Sequence, residues 1–114
     1  MESQSLSTLA HEHLDKARGA GSGRSAVTLH GGREHALRQT LLALTEGHAL
    51  GEHESPGEAT LQVVHGRVRL TTADDAWEGR AGDYLLIPPA RHDLTAAEDS
   101  VVLLTVAVHG VPGT

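Results

Sequence analysis

The chain has 114 residues, of which 39% are hydrophobic, and this suits one globular domain with a modest core. Its formal net charge is −6, no Lys/Arg cluster is dense enough to follow a phosphate backbone, and aromatic residues make up only 2%. Nucleic acid is therefore a poor candidate partner. The absence of cysteine excludes disulfides, thiolate catalysis and Cys-ligated zinc.

The opening residues show no sign of a secretory leader. They have no basic start and no apolar core segment, and no apolar run in the chain approaches the length that crosses a membrane. We therefore expect a cytoplasmic protein with no membrane partner.

Residues 5–18 predict a short helix, with Ser5 or Ser7 as its cap. Their apolar residues fall at helical spacing and form one stripe: Leu6, Leu9, Ala10, Leu14 and Ala17. The glycine-rich segment 19–23 ends the helix. Residues 1–23 are therefore expected to be a helix and a flexible linker that lie outside the main domain.

From Arg24 onward the pattern is typical of strands. Residues 36–47 are long enough for a helix, but Thr40, the run of leucines and the flanking glycines favour a strand. The clearest alternation places Ala59, Leu61 and Val63 on one face. In all, eight or nine short strands at about 8–12-residue spacing come after the helix, which predicts an all-β sandwich or barrel over residues 24–114.

Residues 101–108 are apolar on both faces, which predicts a strand covered on both sides. We expect a second subunit to cover one sheet face and hence a homodimer.

Two glycine-bounded segments carry a resemblance to a known family. Gly47 is followed by five residues and then His53, and the spacing from His53 to Gly66 matches the first motif of the cupins. Gly82, five residues and Pro88 match the start of the second motif, and His92 closes it one residue early. The chain resembles a single-domain cupin of the RmlC-like superfamily, which implies a small antiparallel jelly-roll β-barrel with a short N-terminal α-helix.

The resemblance is weaker at the metal ligands. Metal-binding cupins usually supply three histidines and a glutamate, whereas Ser55 stands at the second histidine position and Ala59 at the glutamate position. His53 and His92 remain as the candidate metal ligands, for Fe, Mn, Ni or Zn. Catalytic zinc sites normally use three protein ligands and non-haem iron uses two histidines and a carboxylate, so a third donor would have to come from elsewhere.

A pocket inside the barrel is the predicted ligand site. Gln39 lies two residues from both Leu37 and Leu41 and so shares their face of the strand. If those leucines face the barrel, Gln39 faces the pocket too. The other predicted lining residues are Ser55, Ala59, Leu61, Val63 and Leu94, with His53 and His92 as polar anchors.

Three interpretations of His53 and His92 stay open. The two histidines are hydrogen-bonded groups of a metal-free pocket, ligands of a divalent metal, or acid–base groups without a metal. The favoured function is binding of a small molecule, with a weakly held metal as an addition. The alternative is a metal-dependent oxygenase, isomerase or lyase with a reduced ligand set.

Overall fold

A computed structural model describes residues 1–55 and 57–108. It begins with helix α1 (Leu6–Gly19), where Ser5 is the N-cap and accepts a hydrogen bond from the Thr8 N–H at 3.2 Å. Lys16 and Arg18 lie in the last turn, where positive charge is favourable beside the exposed carbonyl groups. The helix predicted over residues 5–18 is confirmed.

Eight strands follow in the described part of the chain, and the strand predicted over residues 36–47 is among them. Their bounds are β1 Arg24–His30, β2 Leu37–Leu44, β3 Glu58–His65, β4 Arg67–Thr71, β5 Ala76–Arg80, β6 Tyr84–Leu86, β7 Asp93–Ala96 and β8 Ser100–Ala107. A five-stranded antiparallel sheet has the order β1-β2-β8-β3-β6, and a three-stranded one has the order β5-β4-β7. The all-β prediction with one N-terminal helix is therefore confirmed.

The segment that precedes β3 runs antiparallel beside β7 and extends the smaller sheet. Ala49 forms an isolated bridge with Thr95, and His53 forms another with His92. Leu50 N–H also donates to the Leu94 carbonyl oxygen at 2.9 Å. This pairing fixes the two glycine-bounded motifs of the sequence against each other.

The inner face of the five-stranded sheet packs against the smaller sheet. The buried residues of this inner cluster are Leu42, Leu44, Ala59, Leu61, Val63, Val68, Leu70, Ile87, Leu94, Ala96 and Val102. They alternate along each strand with outward-facing residues, as a half-buried sheet requires. These residues form the interior of the barrel.

The outer face of the same sheet packs against α1. The buried residues of this outer cluster are Ala10, Leu14, Ala17, Leu41, Ala43, Val101 and Leu103. The apolar stripe predicted for the helix therefore lies against β2 and β8. Because α1 already covers β8 at Val101 and Leu103, the two-sided apolar character there does not require a second subunit.

Polar contacts hold α1 in place at its C-terminal end. Arg18 Nε donates to Asp99 Oδ2 at 2.9 Å, and Asp99 Oδ1 accepts the Glu46 N–H at 2.9 Å. The backbone N–H of Glu46, followed by the Arg18 guanidinium, lowers the pKa of the Asp99 carboxyl below its ordinary value. Nearer the middle of the helix, the buried His13 shares a hydrogen bond of 2.8 Å with Ser25 Oγ.

Across residues 1–55 and 57–108, no helix has both the length and the apolar character needed to span a membrane.

Candidate functional site

His53 and His92 lie side by side where the two motif segments pair. Each N–H donates to the carbonyl oxygen of the other residue, and both distances are 2.9 Å. Because directly paired residues of antiparallel strands point their side chains to the same face of the sheet, the two imidazole rings are close, with centroids 4.4 Å apart. His92 is 2% exposed and His53 is half-buried. The structure thus brings together the two histidines that the sequence singles out.

Each imidazole is oriented by a backbone carbonyl group two residues earlier in the chain. His53 Nδ1 lies 2.8 Å from the Gly51 oxygen, and His92 Nδ1 lies 2.8 Å from the Ala90 oxygen. A carbonyl oxygen can only accept, so Nδ1 carries the hydrogen in both rings. In the neutral imidazole, Nε2 is then left with a free lone pair, ready to accept a proton, a hydrogen bond or a metal ion.

The donor set does not fit the four-ligand metal centre of metal-binding cupins. Within residues 1–55 and 57–108, no three His, Asp or Glu side chains lie close enough together to hold a metal ion. The missing ligands are those replaced by Ser55 and Ala59, and Ala59 has no donor atom. Two imidazoles alone form an incomplete site by the usual standard of catalytic metals.

Four of the predicted pocket residues lie together inside the barrel, but they fill space rather than surround it. Ala59, Leu61, Val63 and Leu94 all belong to the inner cluster, and each is at most 4% exposed. Ser55 is half-buried and sits two residues after His53.

Gln39 lies on the opposite face of β2 from the one predicted. It shares the face of Leu41, which belongs to the outer cluster, and its Nε2 donates to Thr105 Oγ1 at 3.3 Å. The prediction was wrong because it assumed that Leu37 and Leu41 face the barrel interior. In the structure Leu41 faces α1, and the alternate residues of β2 face inward.

Those alternate residues line a cavity of about 320 Å³ on the inner face of the five-stranded sheet. Its walls are mostly apolar, and the lining residues are Ala26, Arg38, Thr40, Leu42, Leu50, Leu104 and Val106. Leu50 belongs to the segment that carries His53. One wall of the cavity is therefore continuous with the paired residues His53 and His92, which we call the histidine bridge. The volume lies within the range of small-molecule sites in proteins.

The sequence did not lead us to predict that Arg38 and Thr40 line a cavity, although one feature of the sequence indicates it. Leu41-Leu42-Ala43-Leu44 is apolar on both faces and gives no indication of which face points inward. The apolar stripe of α1 requires an apolar partner outside the barrel, and β2 offers one through Leu41 and Ala43. Had that requirement been applied, Arg38 and Thr40 would have been placed inside.

Two further cavities lie away from this wall. A groove of about 350 Å³ runs between α1 and the outer face of β3 and β8, with Leu14, Val64 and Val101 in its lining. A smaller cavity of about 80 Å³ lies between β4, β5 and β6, beside Trp77 and Leu85.

Comparison with solved structures identifies the architecture. A conserved protein of unknown function from Streptococcus pyogenes is 26% identical, with a TM-score of 0.70, over 78% of this chain and 77% of that one. A cupin superfamily protein from Desulfitobacterium hafniense DCB-2 is 16% identical, with a TM-score of 0.68, over 75% and 77% of the two chains. An RmlC-like cupin from Shewanella frigidimarina NCIMB 400 is 19% identical, with a TM-score of 0.67, over 79% and 80%.

No protein-family model and no curated protein sequence matches the chain. The structural likeness nevertheless establishes that the chain has the cupin fold, a small jelly-roll barrel. The resemblance drawn from Gly47–Gly66 and Gly82–His92 is thereby confirmed for the fold.

Proposed function

We propose that this protein binds a small molecule in the cavity on the inner face of β1, β2 and β8. The observation that supports this function is the cavity itself, whose volume is about 320 Å³ and whose walls are apolar apart from Arg38 and Thr40. Apolar walls give a ligand the free energy of burial, and a few polar groups orient it. His53 and His92 stand on the neighbouring segment as further polar anchors.

A variant that fills the cavity tests this function. Val106→Phe adds a ring to the lining, whereas Thr105→Phe adds the same ring on the opposite face of β8, outside the barrel. We expect compounds that raise the melting temperature of the wild type to lose that effect in Val106→Phe and to keep it in Thr105→Phe. Ligands that bind both variants equally well would show that the cavity is not the binding site.

A second candidate function is metal-dependent catalysis at the histidine bridge by an oxygenase, isomerase or lyase with a reduced ligand set. The observation that favours it is the pair of Nδ1–carbonyl hydrogen bonds, which leaves both Nε2 atoms free and oriented. Two imidazoles would hold Fe, Mn, Ni or Zn weakly, and a bound ligand would have to complete the coordination.

Elemental analysis of protein purified without an affinity tag separates the two candidates. If the histidine pair holds a metal, loading with each of the four metals gives a stoichiometric content that His53→Ala and His92→Ala both lose. His48→Ala is the matched control, because His48 bonds to Thr45 Oγ1 and not to the bridge. The absence of stoichiometric metal after loading would eliminate the enzyme in its metal form.

We also propose that the protein forms a homodimer, through the part of the outer sheet face that α1 leaves uncovered. Leu37, Tyr84 and Leu86 are 45%, 59% and 64% exposed and share that face by strand register. Leu86→Lys should convert a dimer to a monomer in light scattering, whereas Glu54→Lys, at an exposed position elsewhere, should not. A monomeric wild type would contradict the proposal.

A further inference from the structure

Arg38 introduces a positive charge into an otherwise uncharged cavity. It lies on β2 opposite Val106 of β8, and both side chains line the cavity. The other lining residues that the structure describes are alanine, threonine, leucine and valine, so Arg38 is the single charged side chain among them. A guanidinium in such surroundings is partly removed from water, and an anionic partner would stabilise it.

The protein itself supplies little to that guanidinium. Arg38 Nε donates to the His35 carbonyl oxygen at 3.3 Å, which is a long hydrogen bond. In the part of the chain that the structure describes, Arg18, Arg67 and Arg91 pair with carboxylates, and Arg38 does not. Its remaining N–H groups form a planar fork that matches a carboxylate.

Thr40 adds a second polar group to the same wall. It lies two residues along β2 from Arg38, a separation of about 7 Å on the same face of a strand. A ligand head group held by the guanidinium would lie within reach of the Thr40 hydroxyl, while its body contacted Leu42, Leu104 and Leu50. Polar groups on one wall and apolar groups on the others define an amphiphilic ligand.

Charge balance limits the ligand to one negative charge. One guanidinium neutralises one carboxylate, whereas a phosphate dianion would retain an unpaired charge among apolar walls at a large cost in desolvation. The protein has a net charge of −6, so its long-range field does not attract anions and the contact with Arg38 must supply the attraction.

We infer that the ligand is a small monocarboxylate with an apolar body, held through its carboxylate by Arg38. This inference rests on the proposed function, since it names the class of molecule for the same cavity.

Matched acids and amides test the inference. The probes are 4-methylpentanoate, cyclohexanecarboxylate and phenylacetate, each titrated beside its own primary amide by isothermal calorimetry at pH 7.5. We expect at least one acid to bind about tenfold or more tightly than its amide, because a charge-assisted hydrogen bond is stronger than a neutral one. Arg38→Gln should reduce that preference to less than about threefold.

Arg69→Gln is the control, because Arg69 is exposed on β4 and does not line the cavity. It should leave the preference for the acid unchanged. If Arg38→Gln does not fold, backbone N–H chemical shifts of the wild type locate the binding site instead. The acid should then shift the signals of Arg38, Thr40 and Leu104 rather than those of β4.

The outcomes separate the inference from the proposed function. Equal binding of acid and amide, or a preference that survives Arg38→Gln, overturns the inference. If neutral compounds still bind and Val106→Phe blocks them, the proposed function stands. If no acid, amide or neutral compound binds the wild type, both are overturned.

Discussion

The two faces of β2 in the five-stranded sheet differ in what lies against them. On the outer face, α1 packs on Leu41, Ala43 and Val101, and each of these residues is fully buried. On the inner face, the smaller sheet buries Leu61 of β3 completely, but Thr40 and Leu104 line a cavity. The helix thus packs directly on the outer face of β2, while the inner face of the same strand borders the cavity.

Removal of α1 is expected to have the largest effect on this difference. Deletion of residues 1–20 exposes the outer cluster, and we expect the free energy of unfolding to fall by about 3 kcal/mol or more, from the burial of several apolar side chains. Urea unfolding measures the loss, and deletion of the exposed residues 1–4 is the control. Equal stability of the two truncated proteins would mean that α1 is not a structural part of the domain.

Leucine truncations compare the two faces directly. Leu41→Ala opens a void at a fully buried position and should cost about 3 kcal/mol, whereas Leu104→Ala enlarges an existing cavity and should cost about half as much. Leu41 is 0% exposed and Leu104 is half-buried, which agrees with this order. The reverse order in chemical denaturation would show that the inner face is the more tightly packed one.

The polar attachment of α1 should contribute least. Asp99→Asn keeps an acceptor for the Glu46 N–H but loses the ion pair with Arg18, so we expect only a small loss of stability at pH 7 for this solvent-screened pair. Because folding lowers the pKa of Asp99, its stabilisation is present above the unfolded-state pKa and disappears as the pH falls through the lower folded-state value.

Unfolding curves of wild type and Asp99→Asn should therefore differ near neutral pH and converge well below about pH 4. Asp74→Asn is the control, since Asp74 lies on the exposed β4–β5 turn. A difference that persists unchanged in acid would contradict the assignment of the pKa shift to folding.

The sequence predicts the fold and the histidine pair for a physical reason. The glycines and alternating residues of Gly47–Gly66 specify turns and strand faces by local rules, and pairing of the motifs brings His53 to His92. Alternation also placed Ala59, Leu61, Val63 and Leu94 correctly inside the barrel.

The cavity wall was not predicted because local rules leave it undetermined. In the second half of β2, residues 41–44, both faces are apolar, and the position of α1 in the folded protein decides that Leu41 faces outward and Leu42 inward. The assignment of Gln39 to the pocket, and the omission of Arg38, follow from that one ambiguity. A contact between distant parts of the chain determined the outcome, and no local pattern contains it.

The position of β8 in the sheet also constrains how the protein is made. β8 pairs with both β2 and β3, so the five-stranded sheet cannot close until residues 100–107 have left the ribosome. Before then, β1 can pair with β2 and β3 with β6, but the edges of β2 and β3 that receive β8 are unpaired. A nascent chain that pauses before residue 100 would thus present two unpaired strand edges to other chains.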